Sequence, residues 1–249
     1  MRIAVAGGTG IVGQHVVNAL RAGGHEPVIL TRSTGVDLVT GIGLPGSLDG
    51  VGAVVDVTSV ATTSASKSVR FFRTVTTRLL AAEDAAGVPH HVALSIVGAA
   101  PIDAAYFAGK KVQEELVMAS ASGWTIVRAT QFHEFARQIL PLGAVGPLHV
   151  VPRMLSQPVA AAEVGAALAR LATDAPAGLA VDLAGPRVER MADLVRRYLR
   201  ASGRSRPVLE VPLPGAWGRG MRDGSLLPDP GAQLGTQTFD EWLETVRSG

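Results

Sequence analysis

The run Arg2-Ile3-Ala4-Val5-Ala6-Gly7-Gly8-Thr9-Gly10-Ile11-Val12-Gly13 decides the fold of this 249-residue chain. Its first five residues read as a short buried strand near 2–6. The glycines then form a G-x-x-G-x-x-G turn, and helical periodicity takes over at 11–22. In a chain with 29 glycines that spacing alone carries little weight. Its position gives it meaning, because a turn between a first strand and a first helix points backbone N–H groups and the positive end of the helix dipole outward. Glycines there let the backbone turn tightly, approach a pyrophosphate without Cβ interference and pack the helix on the strand. Gly7, Thr9, Gly10, Ile11, Val12 and Gly13 are therefore the expected cradle of a dinucleotide.

Working outward, apolar runs rich in valine and isoleucine alternate with helical stretches, the signature of βαβ units and a parallel sheet. Strands are predicted near 2–6, 26–31, 36–40, 53–57, 90–95 and 124–128, and helices over 11–22, 67–86 and 104–121. Only three residues separate Arg32 from Val36, too few for the helix that normally joins a second and a third strand, so this half looks trimmed. After about residue 130 the pattern loosens, with a helix near 160–172, a strand near 179–183, a helix near 189–201 and loop over 212–235. The expected architecture is an α/β, Rossmann-type doubly wound parallel sheet with a small C-terminal region covering the substrate. One NAD(P)-binding domain is expected over 1–249, with a dinucleotide-binding core at 1–130 and mostly substrate-side elements at 131–249.

Composition narrows the function classes. Hydrophobic residues make up 47% of the chain and charged residues 18%, which excludes a disordered chain. With no cysteine there is no disulfide, thiol nucleophile or cysteine-rich metal site, and no metal is expected. The apolar runs stop short of the roughly 18 residues that span a bilayer. The amino terminus reads as a strand, not a signal peptide, so a cytoplasmic location away from membranes is expected. A formal charge of +2 without a basic cluster argues against a nucleic-acid partner and leaves a small-molecule substrate.

Two further stretches bear on chemistry. Thr31-Arg32-Ser33-Thr34 closes the second strand with a guanidinium, three hydroxyls and no acid. An acid there would hold a ribose 2′-hydroxyl, whereas a guanidinium suits a 2′-phosphate, so Arg32 and Ser33 point to NADP(H). Tyr106 and Lys110 stand four apart on a helix that Asp103 is placed to cap, and so share a face. With two tyrosines and only three lysines, Lys67, Lys110 and Lys111, that pairing has an accidental probability of roughly 0.02. In a chain that otherwise uses arginine, a lysine there supplies a compact charge of tunable pKa. Such an ammonium would be expected to lower the tyrosine pKa toward neutrality, making Tyr106 a proton donor.

With these residues in view, the sequence resembles the short-chain dehydrogenase/reductase superfamily, in its atypical NmrA-like and isoflavone-reductase-like branch. The resemblance runs over nearly the whole chain. Its most specific stretches are Gly7 to Gly13, Leu94-Ser95-Ile96-Val97-Gly98, Tyr106 to Lys110, and Trp124-Thr125-Ile126-Val127-Arg128-Ala129-Thr130-Gln131-Phe132. It implies Ser95, Tyr106 and Lys110 as catalytic residues, with Lys110 also holding the nicotinamide ribose. It implies Thr58, Thr130 and Phe132 as further cofactor contacts, and Gln131 and His133 as substrate-side residues. The sequence departs from the family at Gly41-Ile42, where an acid that touches adenine commonly stands, and in the early position of Ser95. The resemblance implies an NADPH-dependent reductase of a small carbonyl, quinone or enone. The alternatives are a non-catalytic NADP(H)-sensing regulator of NmrA-like type and an epimerase or dehydratase of the extended branch. The lack of an evident arginine array for a nucleotide sugar weighs against the last.

Overall fold

A computed structural model describes every residue except 100, 101, 103, 248 and 249. The first half runs β1 (Arg2–Ala6), α1 (Ile11–Ala22), β2 (Glu26–Leu30), a 3-10 turn (Arg32–Thr34), α2 (Leu44–Ser47), β3 (Ala53–Asp56), α3 (Ala65–Ala86), β4 (His90–Ile96), α4 (Ala105–Met118) and β5 (Gly123–Ala129). The second runs α5 (Phe135–Gln138), β6 (Ala144–Val145), β7 (Leu148–Pro152), β8 (Leu155–Ser156), α6 (Ala161–Leu171), β9 (Gly178–Leu179), β10 (Leu183–Ala184), β11 (Glu189–Arg190), α7 (Met191–Ala201), β12 (Val208–Val211), α8 (Gly215–Gly220), β13 (Gln233–Leu234) and α9 (Phe239–Arg247). These elements form two compact units, Met1–Arg128 with Ala162–Val181, and Ala129–Ala161 with Asp182–Gly249. No helix among the described residues is long and apolar enough to cross a membrane.

In the first unit the strand order is β2-β1-β3-β4-β5, with the short β9 paired parallel to β5. β1 runs parallel to both β2 and β3, and β3 parallel to β4. The inner strands are apolar on both faces, as a covered parallel sheet requires: Ile3 to Ala6 and Ala53 to Val55 are fully buried. α1 packs through Val12, Gly13, Val16, Val17 and Leu20, the expected helical stripe. α3 is capped by Ser64, whose Oγ accepts the Lys67 N–H at 3.4 Å, and ends at Gly87 with φ +67°. From β4 to α3, His91 Nδ1 donates to Glu83 Oε1 at 2.9 Å, and neither side chain is exposed. Burial pushes the Glu83 carboxyl up, and Glu83 in turn lifts the His91 imidazole against its own desolvation.

The strand expected at 36–40 does not form. Gly35, Gly41 and Gly43 take φ of +84°, +83° and +74°, and Asp37 Oδ1 accepts the N–H groups of Val39 at 2.8 Å and Thr40 at 3.2 Å. That local turn satisfies the backbone groups a strand would have paired. What the trimmed half lacks is therefore an outer strand, and β2 is the edge of this unit's sheet. The helix expected from 189 begins at Met191, and the strand expected over 179–183 divides into β9 and β10. The region read as loop over 212–235 contains α8 and β13. Asp103, the expected cap of α4, lies outside the described residues, and the N-cap position belongs to Ala104.

In the second unit β7 pairs parallel with β12 and antiparallel with β6, and β10 runs parallel to β13. α7 buries Leu194, Val195, Tyr198 and Leu199, and Trp242 of α9 stacks on Tyr198 with ring centres 6.1 Å apart.

A tight packing constraint in the first unit is at Gly13. A Cβ there would collide with the Gly7 carbonyl oxygen and stand 2.7 Å from Gly8 Cα, both backbone atoms. Gly13→Ala is therefore expected to lower the stability to urea by about 1–3 kcal/mol, the range for overpacking. An unchanged urea midpoint would show that α1 can move off the loop at no cost.

Candidate functional site

The glycine loop leaves β1 through Gly7, whose φ of +82° suits glycine. A Cβ on Gly7 would lie 3.0 Å from Val57 O and 3.2 Å from Thr58 Cα, so the loop rests directly on the turn after β3. Gly10 N–H donates to Gly7 O at 2.9 Å, and Gly10 is the N-cap of α1 with no side-chain cap. The first turn of α1 carries no acidic residue, so its positive end is not neutralised from within. Thr9 is exposed at the tip, and its carbonyl accepts from Gln14 Nε2 at 3.0 Å.

Beyond β2, Thr31 and Thr34 cap the 3-10 turn reciprocally, and the Thr31 and Ser33 hydroxyls stand 2.9 Å apart. Arg32 is exposed on this turn. Asp37 is held below the usual carboxylate range by the Val39 and Thr40 N–H groups, with Arg32 adding the least.

Lys110 lies at the carboxyl ends of β3 and β4 and is 3% exposed. Its Nζ donates to Leu94 O at 2.7 Å, to Gln113 Oε1 at 2.8 Å and, at the 3.5 Å limit, to Thr58 O. The Phe72 ring centre lies 4.5 Å away, a cation–π contact. Burial pushes the Lys110 ammonium down to about 8, opposed by the charges of Asp56 and then Glu114. Asp56 is fully buried and accepts Gln113 Nε2 at 2.8 Å and Thr58 N–H at 2.8 Å. Close by in the chain order of the same two strands, Thr58 Oγ1 and Ser95 Oγ are buried without a hydrogen-bond partner.

Tyr106 is half-buried, and its hydroxyl stands 3.2 Å from Ser59 Oγ. The expected tuning of this phenol is reversed. Burial and the Asp56 charge push its pKa above the ordinary value, with only the Ser59 contact opposing. Lys110 Nζ is 6.0 Å from the Tyr106 ring centre and its bonds are directed at Leu94, Gln113 and Thr58, so it does not act as the phenol's counter-charge. Ser59, Asp56 and Gln113 belong to this cluster and were not anticipated. The available signals were an acid ending the apolar run Ala53-Val54-Val55, and a glutamine one helical turn after Lys110.

The remaining expected residues lie in the second unit. Thr130 Oγ1 donates to Gln157 O at 2.6 Å, and Gln131 Oε1 accepts from Ser156 Oγ at 2.8 Å. Phe132 is half-buried and bridges to Val159. His133, expected to face substrate, is instead 1% exposed, bonded through Nε2 to Gln237 O at 3.1 Å and packed on Phe239 and Trp242. That is the environment of a packing residue. In the same unit Arg153, Arg190 and Arg222 line a cavity of about 310 Å³ with Glu210, Met154 and Leu155. Glu210 pairs with Arg190, and with Arg153 at 3.7 Å. These arginines are too far apart in the chain to be recognised as an array from sequence.

No protein-family model and no curated protein matches the chain. Solved structures do. An NADPH-dependent quinone oxidoreductase from Escherichia coli, complexed with NADPH, is similar at a TM-score of 0.69 and 18% identity over 98% of this chain and 99% of that one. A short-chain dehydrogenase/reductase superfamily protein from Agrobacterium tumefaciens with bound NAD gives 0.66 and 21% over 100% and 96%. All share one Rossmann-type α/β fold. A UDP-N-acetylglucosamine 4-epimerase from Bacillus cereus shares it at 0.68 and 17%, over 100% of this chain and 98% of that one. Likeness at this identity establishes the Rossmann-type fold alone, and the quinone oxidoreductase and the epimerase differ in activity.

The lowered Lys110 pKa has a consequence for stability that needs no ligand. Between about 8 and the ordinary 10.5 the unfolded chain keeps the Lys110 proton that the folded chain has lost, so stability rises with pH across that window. The slope reaches at most about 1.4 kcal/mol per pH unit. Urea unfolding of the native protein and of Lys110→Met from pH 7.5 to 10.5 is expected to show this rise in the native protein alone. Parallel curves would place Lys110 in a solvated setting.

Proposed function

We propose that this protein is an NADPH-dependent reductase of a small carbonyl, quinone or enone. The observation that carries the proposal is the buried Lys110 ammonium bonded to the Thr58 and Leu94 carbonyls, with the hydroxyls of Thr58 and of Ser95, the residue after Leu94, left unpartnered, and the glycine loop resting on the Val57–Thr58 turn. In open α/β sheets ligands bind at the carboxyl ends of the strands. Buried hydroxyls without partners are costly unless a ligand completes them. The uncapped α1 terminus, and Gly10 at its start, where an added Cβ would meet only Gly7 O at 3.2 Å, suit a pyrophosphate, so the residues present fit a dinucleotide. The complexes of the Escherichia coli oxidoreductase with NADPH and of the Agrobacterium protein with NAD support the same reading.

On this reading Gly7, Thr9, Gly10, Ile11, Val12 and Gly13 hold the pyrophosphate. Arg32 and Ser33 meet the 2′-phosphate, Thr58 and Lys110 the ribose side, and Ser95 the substrate oxygen. Thr130, Phe132 and Gln131 are carried by the family resemblance. The bound cofactor supplies a hydride. Tyr106 is protonated over the physiological range at its ordinary pKa, and burial holds that proton more firmly; it can release the proton to a substrate oxygen gaining charge. Ser59, exposed and in contact with the Tyr106 hydroxyl, can return a proton from solvent.

The arginine-lined cavity of the second unit favours one other reading, an epimerase or dehydratase acting on a phosphate-bearing sugar, as in the Bacillus cereus neighbour. Binding of UDP-hexoses that is lost in Arg222→Ala would favour it over the reductase.

Fluorescence titration is expected to show tighter binding of NADPH than of NADH. Arg32→Asp should weaken NADPH by roughly tenfold or more and leave NADH little changed. Equal native affinities would sink the NADP assignment. In assays of quinones, enones and ketones with NADPH, Tyr106→Phe is expected to lose about 10²–10⁴-fold in turnover with cofactor affinity kept. A loss confined to Lys110→Ala would move the proton to lysine or a water it holds. Tight NADPH binding without turnover of any of these substrates would replace the enzyme with a sensor.

A further inference from the structure

Lys110 is only the front member of a buried chain. Behind it stand Gln113 and Asp56, both fully buried, and neither has a role in binding or chemistry on the reading above. A carboxylate only accepts hydrogen bonds, so Asp56 Oδ2 takes the –NH₂ end of Gln113 at 2.8 Å and forces its oxygen toward Lys110, also at 2.8 Å. Flipping the amide would set oxygen against oxygen and –NH₂ against ammonium. The other Asp56 oxygen accepts Thr58 N–H, while Lys110 reaches Thr58 O, so the peptide groups on both sides of Thr58 are held by the same chain. That turn carries the unpartnered Thr58 hydroxyl, backs Gly7, and leads into Ser59, the partner of Tyr106.

We propose that Gln113, oriented by Asp56, is a positioning residue that holds the Lys110 ammonium and the turn at Val57 to Ser59 in one arrangement for ligand binding. The ligand part of this inference rests on the proposed dinucleotide site, whereas the hold on Lys110 does not. The groups facing Lys110 are Asp56 from β3, Tyr106, Gln113 and Glu114 from α4, Phe72 from α3 and the Leu94 carbonyl from β4. Asp56 and Gln113 are therefore the buried pair through which a change of charge reaches Lys110 without altering its other neighbours.

The polarity of the pair makes an exchange test possible. Asp56→Asn alone sets two donors against each other, at Gln113 or at Thr58. Gln113→Glu alone sets two carboxylates together. The double variant Asp56→Asn, Gln113→Glu restores every hydrogen bond. The amide introduced on β3 would accept from Thr58 N–H and donate to the carboxylate introduced on α4, which would accept from Lys110. The exchange also keeps the net charge and brings the negative charge one step closer to the ammonium. With ¹³C-labelled lysine only three side chains are visible, and Lys110→Met assigns the signal of interest. Each single variant is expected to weaken NADPH binding about tenfold or more, and the double to return to within about threefold of native. The Lys110 signal of the double should titrate at higher pH than in the native protein, a displacement that repaired packing alone would not produce. Gln113→Met, which keeps the volume and removes the polarity, should titrate lower. A double variant that folds yet binds no better than the singles, or a Lys110 titration that is the same in the native, Gln113→Met and double variants, overturns the proposal. If the native protein binds neither NADPH nor NADH, the proposed function fails, and the Lys110 titrations still decide whether Gln113 holds the lysine.

Discussion

A charge taken out of water has to be met by acceptors on every side, and that requirement at Lys110 organises the first unit. Two backbone carbonyls at the ends of β3 and β4 and the amide oxygen of Gln113 receive its three N–H groups, and Phe72 closes the remaining side. Those partners come from two strands and two helices, so the ammonium can be accommodated only if the helices pack closely. Gly109 makes that possible: a side chain there would collide with Ser68 and stand 2.6 Å from the Phe72 ring. Ser68 in turn donates to Tyr106 O at 2.9 Å, fixing the start of α4 against α3.

Features set by local chemistry were legible in the sequence. The glycine turn, α1, and the inner strands follow from periodicity and the special backbone of glycine, and the structure has them where the sequence places them. The strand expected at 36–40 was misread because apolar residues at Val36, Leu38 and Val39 resemble a strand. The Asp37 turn and three glycines with positive φ outweigh that pattern. Six of the strands after β5, namely β6, β8, β9, β10, β11 and β13, have two residues each, too few for any period to register.

At the candidate site the pairing of Tyr106 with Lys110 was readable because both lie on one helix. Its electrostatics were not. Which effect dominates a pKa depends on burial and on partners distant in sequence, and here Ser59, Asp56 and Leu94 decide the outcome for two residues of α4. His133 shows the same limit, since only the fold of α9 brings Phe239 and Trp242 over it.

The missing outer strand leaves β2 with one side free of a partner strand among the described residues, and an unpaired strand edge is a template on which another chain can add. The sequence of β2 counters that hazard. Pro27 has no N–H to offer an incoming strand, and Glu26, paired with Arg2 at 3.2 Å, puts charge at the strand's start. Beyond the strand's other end, the Thr34 hydroxyl occupies the Ile29 carbonyl at 2.7 Å. Shortening the sheet thus placed the burden of keeping molecules apart on the few residues of β2, where even the replacement of one proline bears on aggregation and solubility.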